Sequence, residues 1–192
     1  MAVTPSTMLP LGTEAPDFAL PDTTGRVVTR DSVRGPKGLL VMFICNHCPF
    51  VKHVRSELAR LGRELPSQGI HVVAINANDV ETHPEDSPAQ MAVEAIDAGY
   101  VFPYLYDETQ SVAKAYRAAC TPDVFLFDGE LRLVYRGQLD GSRPGNDIPL
   151  TGGDIRAATA ALVSGEPPLQ DQRPSMGCNI KWRAGNAPSY AG

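Results

Sequence analysis

The chain has 192 residues and a formal net charge of −5, with 43% hydrophobic and 20% charged residues. Those proportions fit a globular protein, and the acidic balance excludes a broad basic surface for nucleic acid or an anionic membrane. The amino-terminal stretch, Met1 to Gly12, has neither a basic run nor an apolar one, and no segment reads as a membrane span, so neither an export signal nor a membrane partner is expected. Four cysteines are too few for a disulfide scaffold in a chain this long, which predicts a cytoplasmic and mostly reduced protein.

Residues 1–11 read as a loose arm. Phe18-Ala19-Leu20 and Val27-Val28-Thr29 are short extended pieces around the turn signal Asp22-Thr23-Thr24-Gly25. Leu39–Ile44 is a continuous apolar strand. Phe50, Val51, Val54, Leu58, Leu61 and Leu65 recur at helical spacing, and Pro66 and Gly69 end that helix. Val72–Ile75 is the next buried strand. Asn76–Pro88, with Asp79, Glu81, His83, Glu85 and Asp86, is polar and reads as a solvated loop; it lacks the regular oxygen spacing and central glycine of a calcium loop.

Helices are predicted at Ala89–Ala98, near Thr109–Ala118 and at Ile155–Val163, with a short strand at Tyr104–Tyr106. Val124–Phe127 and Leu131–Tyr135 flank Asp128-Gly129, a hairpin signal. This order predicts an α/β domain over 12–165, with parallel strands joined by crossovers and an antiparallel edge hairpin. The remaining 166–192 has too few apolar residues for a core of its own and reads as a tail packed on the domain.

The apolar strand runs straight into Cys45-Asn46-His47-Cys48-Pro49. A helix that follows at once places Cys45 at its amino end and Cys48 one turn inside. Unsatisfied N–H groups and the helix dipole favour negative charge there, and the thiolate is the reactive form of cysteine. Cysteines at Cys-x-x-Cys spacing can also close a disulfide. Cys45, expected to be the more exposed, is read as the attacking thiol and Cys48 as the resolving one.

At these residues the chain resembles a thioredoxin-fold redoxin, in the peroxiredoxin-like branch of the alkyl hydroperoxide reductase/thiol-specific antioxidant family. The resemblance rests on Gly12–Leu20 with Asp22 and Gly25, on Cys45–Cys48, and on Thr121-Pro122 before the strand Val124–Phe127. Cys45–Val51, Ser142–Gly145 and Ser175–Trp182 are similar to one peroxiredoxin-like subgroup. The resemblance implies a thioredoxin-like fold, a central mixed sheet flanked by helices. It also implies a cis Thr121-Pro122 bond facing the dithiol, an edge that pairs with a substrate strand.

His47, immediately before the second cysteine, resembles the arrangement in protein disulfide isomerase and implies a more oxidising couple than thioredoxin's, since a stabilised thiolate stabilises the reduced form. The departures are specific. The peroxidatic pattern Pro-x-x-x-Thr/Ser-x-x-Cys meets Gly38 and Met42 when counted back from Cys45, and Val41 and Cys45 when counted back from Cys48.

Cys120 and Cys178 are further candidate redox thiols, each with packing as the alternative. The primary reading is a thiol–disulfide oxidoreductase with no cofactor and no metal. Its expected partners are protein or small-molecule thiols and disulfides and an external thiol electron donor, with the oligomeric state left open. A thiol peroxidase acting on peroxide stands beside it. So does a redox-sensing or zinc-bound interaction module, for which the wide separation of Cys120 and Cys178 is unfavourable.

Overall fold

The computed structural model describes residues 3–191. Its centre is a five-stranded sheet built from β4 (Gly38–Phe43), β5 (Ile70–Asn76), β6 (Tyr104–Tyr106), β8 (Asp123–Asp128) and β9 (Leu133–Gly137). The order is β6-β5-β4-β8-β9, with β4, β5 and β6 parallel, β8 antiparallel to β4 and β9 antiparallel to β8. Strand β4 is therefore interior, with every residue buried. Continuous apolar sequence suits a strand covered on both faces.

Alternation along β4 divides the core. Leu40 and Met42 face one apolar cluster, while Leu39, Val41 and Phe43 face the other. The first cluster is closed by α1 (Pro49–Glu64), α2 (Pro88–Ala98) and α4 (Gly153–Ser164), through Val51, Val54, Leu58, Met91 and Ile155. The second is closed by α3 (Ser111–Ala115) and by the hairpin of β2 (Ala19–Pro21) and β3 (Val27–Thr29), through Val112, Tyr116, Leu20 and Val28. Helices on both faces of a mixed sheet make the α/β, thioredoxin-like architecture expected from the chain.

Helix α1 begins where proline fits best, with Pro49 in its first turn, and it ends in a 3-10 turn closed by Gly69 at φ 84°. Helix α3 is shorter than its sequence pattern suggests. Gln110 at φ 62° and Arg117 at φ 51° put left-handed backbone on either side of it, so the periodicity cannot propagate. The second hairpin strand starts at Leu133 rather than Leu131. Asp128 Oδ1 accepts from the amides of Glu130 and Arg132, which spends those residues on the turn.

The amino-terminal arm differs most from its expectation. Within the described residues it is no loose segment: β1 (Val3–Pro5) pairs antiparallel with β10 (Met176–Asn179), which in turn pairs with β7 (Cys120–Thr121). Met1 and Ala2 lie outside the described residues. The amino-terminal arm and a strand of the tail thus meet in a small second sheet against the Thr121-Pro122 turn. Among the described residues no helix is long and apolar enough to cross a membrane.

Candidate active site

Strand β4 ends at Phe43, and Ile44 extends it by donating its amide to Ile75 at 3.0 Å. Cys45 follows immediately. Cys48 is the N-cap of α1, at φ −67° and ψ 123°, so it stands before the first turn rather than one turn inside it. The proline at position 49 sets this boundary, since it serves at the start of a helix and not in its interior. Both sulfurs are sealed: Cys45 is 1% and Cys48 0% exposed, which corrects the expectation that Cys45 is the open one.

Thr121 meets both thiols. Its hydroxyl lies 3.3 Å from Cys45 Sγ, and its carbonyl accepts from Cys48 Sγ at 3.2 Å. The Thr121-Pro122 bond is cis, as the resemblance implies. A third sulfur completes the group. Cys178, on β10 and paired with Thr121, has its Sγ 2.8 Å from Cys48 Sγ. Cys120 does not join: its Sγ is directed at the Pro122 carbonyl, 3.5 Å away.

Shared protons divide the thiol acidities. The Cys45 thiol stabilises charge on Cys48, and Cys178 adds to it, against the opposing effect of burial. The Val51 amide faces the Cys48 sulfur without closing a full capping bond. The Cys48 pKa is thereby lowered to about 4. Cys45 is pushed up by its interaction with Cys48, by burial and by the negative charge of Asp86. Burial and Cys48 push Cys178 up to about 12, and burial also raises Cys120. Cys45 and Cys48 therefore share one negative charge rather than carrying two, since charge on either raises the pKa of the other.

On the opposite side, the Asn46-His47 turn is held by a carboxylate that the sequence pattern assigns to a solvated loop. Asp86 is fully buried. Its Oδ1 accepts from the amides of Asn46 (2.8 Å) and His47 (3.3 Å), and its Oδ2 accepts from Asn78 Nδ2 (2.8 Å) and pairs with His47 Nδ1 (2.6 Å). Burial opposes the Asp86 charge, but these bonds outweigh it and lower its pKa. In return the bond to Asp86 raises the pKa of His47.

The His47 ring stacks on His83 with centroids 4.9 Å apart, and Tyr104 donates its hydroxyl to Asn46 Oδ1 at 3.0 Å. None of these anchors carries a local sequence signal. Asp86 lies 40 positions from the Asn46 amide it receives, inside a run whose polarity resembles any surface loop.

Cys45, His47 and Asp86 each place one donor atom within 4.8 Å of the others, the only such cluster of metal-binding type found among the described residues. Two of the three are already engaged, His47 Nδ1 with Asp86 Oδ2. The arrangement works as an oriented imidazole beside a thiol.

A dithiol leaving a buried strand for a helix, opposite a cis-proline turn on a mixed sheet, defines a redoxin of thioredoxin-like fold. Residues 11–136 match the model of the AhpC/TSA family, and the chain belongs to that family. It is 28% identical over 125 residues to the thiol-disulfide oxidoreductase ResA of Bacillus subtilis (strain 168), a match spanning 64% of each protein. It superposes with TM-score 0.93 on a conserved protein of Geobacillus kaustophilus described as uncharacterized, at 56% identity over 95% of this chain and 97% of that one. A putative thiol:disulfide interchange protein DsbE from Chlorobium tepidum shares the fold, with TM-score 0.63 and 22% identity over 81% of this chain and 99% of that one.

Proposed function

We propose that this protein is a thiol–disulfide oxidoreductase that exchanges disulfides through Cys45 and Cys48. The observation that carries the reading is the pair of thiols at the junction of β4 and α1, both in contact with Thr121 and sharing a single resting negative charge.

The shared charge reaches Cys45 when the Cys45 proton passes to Cys48. At Cys45 it meets the Thr121 hydroxyl as a donor and the nearby His47 ring, whose pKa the bond to Asp86 raises. Cys45 then attacks a substrate disulfide. The Cys45–substrate bond forms as the substrate's own S–S bond breaks, and the departing sulfur takes a proton. Cys48, deprotonated again, attacks Cys45 and releases the substrate as a dithiol, leaving a Cys45–Cys48 disulfide. An external thiol restores the reduced protein. The substrates are disulfide-bearing proteins or small molecules, and a chain with too few cysteines for a disulfide scaffold suits a reducing, cytoplasmic setting.

Peroxide is a poor substrate in this reading. The positions that supply the ring and the hydroxyl of the peroxidatic pattern hold Gly38 and Met42, both inside β4 and both buried. Cys45 is expected to react with hydrogen peroxide slowly and without saturation, as a thiol lacking a positioned acceptor does.

The deciding experiment compares the reduced protein with Cys45→Ser and Cys48→Ser in the reduction of a model protein disulfide, beside stopped-flow oxidation by peroxide. Turnover should fall to background in both variants. Undiminished turnover in either variant, or a saturable peroxide reaction faster than the disulfide reaction, overturns the proposal.

A further inference from the structure

The tail strand β10 puts Cys178 against the dithiol by a built arrangement. It pairs Cys178 with Thr121 and Asn179 with Cys120 on one side, and Val3–Pro5 on the other, so the sulfur is fixed by backbone hydrogen bonding on both edges. Gly177, the preceding residue, has no room for a side chain: a Cβ there would overlap the Thr121 carbonyl. This glycine is what lets β10 approach the Thr121-Pro122 backbone closely enough for Cys178 to reach Cys48. The two sulfurs stand 2.8 Å apart, with both side chains buried. Cys48 consequently lies between two thiols, Cys45 from its own loop and Cys178 from the carboxyl-terminal tail.

We propose that Cys178 is a third redox thiol that exchanges with the Cys45–Cys48 disulfide, moving it to Cys48–Cys178 and returning Cys45 as a thiol. The proposal rests on the dithiol reading above and extends it.

In this step the Cys178 thiolate attacks Cys48 Sγ. The Cys48–Cys178 bond forms as the Cys45–Cys48 bond breaks, and Cys45 leaves as a thiolate that takes up the proton Cys178 released. Two of the three sulfurs are oxidised before and after, so no outside oxidant enters. Burial raises the Cys178 pKa and makes the tail thiol a slow attacker on its own, but proximity offsets much of that, because a sulfur already in contact needs no encounter. The product ties the tail to the start of α1. It also frees Cys45 to attack a second disulfide while the first oxidation is held inside.

Tryptic cleavage separates the two linkages. Cys45 and Cys48 share the peptide 38–52, whereas Cys178 lies in 157–181, since Arg173 precedes Pro174 and is not cut. The test oxidises Cys45→Ser with glutathione disulfide, then blocks residual thiols and maps the digest. Cys48 first takes a glutathione, which Cys178 displaces. The expected result is a protein two hydrogens lighter, with 38–52 joined to 157–181.

The unsubstituted chain, oxidised to one disulfide, provides the second measurement without any change to the fold, and it should contain the same joined pair beside the internal Cys45–Cys48 loop. Absence of the joined pair from both proteins overturns the proposal. Its presence in either supports it. Cys178→Ser, which keeps Cys45 and Cys48, reports on the dithiol alone, and failure to close a disulfide there counts against the dithiol rather than against Cys178.

Discussion

Asp86, at the Asn46-His47 turn, and Asp123, one residue past the Thr121-Pro122 turn, are both buried, and burial raises the pKa of both, yet their net shifts run in opposite directions. Asp86 approaches through the Asn46-His47 turn, where two amides, an asparagine and an imidazole converge on it, and it stays ionised. Asp123 lies opposite Phe43 in the pairing of β8 with β4. Its Oδ2 accepts from the Ala119 amide at 3.2 Å, and its Oδ1 has no hydrogen-bond partner among the described residues. Burial dominates there and pushes its pKa up to about 7. Donors also reach Asp123 from Ser6, Cys120 and Val124, so the lesson is that neither burial nor donor number alone decides the charge of a carboxylate; the balance between burial and the strength of the donors, an imidazole among them at Asp86, does. One flank of the dithiol is consequently a charged, fully bonded anchor. The other is a wall of sulfur, hydroxyl and carbonyl groups with no fixed charge.

The largest expected effect comes from removing the charged anchor. Asp86→Ala strands the Asn46 and His47 amides, the Asn78 side chain and the His47 ring, and should destabilise the protein by roughly 3 kcal/mol or more at neutral pH, the usual cost of breaking a buried pair from one side. Urea unfolding measures it. A change within about 0.5 kcal/mol would mean that the Asn46-His47 turn holds its own shape, and the contrast between the flanks would collapse.

The second effect separates the two aspartates by the sign of their pH dependence. Asp123 binds its proton more tightly folded than unfolded. Its contribution is therefore fully present below its ordinary pKa of 3.8 and is lost as pH rises through about 7. Asp86, with a lowered pKa, contributes above 3.8 and loses that contribution as pH falls through its folded value. Asp123→Asn should flatten the decline in stability between pH 4 and pH 7 by up to a few kcal/mol, since a tenfold difference in proton affinity between the folded and unfolded chain is worth about 1.4 kcal/mol. Denaturant midpoints measured across that range give the answer. An unchanged slope would place an ionised carboxylate at 123.

A smaller effect belongs to His47. Asp86 raises the pKa of the ring near Cys45, and to the extent that the ring carries a proton it favours the thiolate and hence the reduced dithiol, which raises the reduction potential. His47→Ala should make the couple more reducing by about 30 mV, equivalent to ~1.4 kcal/mol for two electrons. Equilibration in glutathione buffers reads this directly, and an unchanged or more oxidising potential would refute the role.

The smallest effect tests the neutral flank. Thr121→Val keeps the shape of the side chain and deletes the hydroxyl 3.3 Å from Cys45 Sγ. Stability should change by about 1 kcal/mol or less, while disulfide exchange slows because the Cys45 thiolate has lost a donor. Unaltered exchange kinetics would assign the hydroxyl to packing only.

Much of this molecule is written locally. The apolar run Leu39–Ile44, the helical spacing from Phe50 to Leu65 and the Cys-x-x-Cys between them determine an interior strand, an amphipathic helix and a dithiol at their junction, because period and apolar run length act over a few residues. Membership of the fold and the site's position followed from those elements.

What only the tertiary structure decided is the environment of the thiols. Pro49 moved the helix start past Cys48, which put Cys48 at the cap and buried both sulfurs. Asp86 reached the Asn46 amide across 40 positions, and Cys178 reached Cys48 across 130. Contacts at such separations leave no periodic trace. A buried aspartate and a surface aspartate are the same letter, and their difference arises only when distant segments bring, or fail to bring, donors to the carboxylate. The dithiol was legible because it is contiguous; its charge, its seal and its third sulfur were set by the chain folding back on itself.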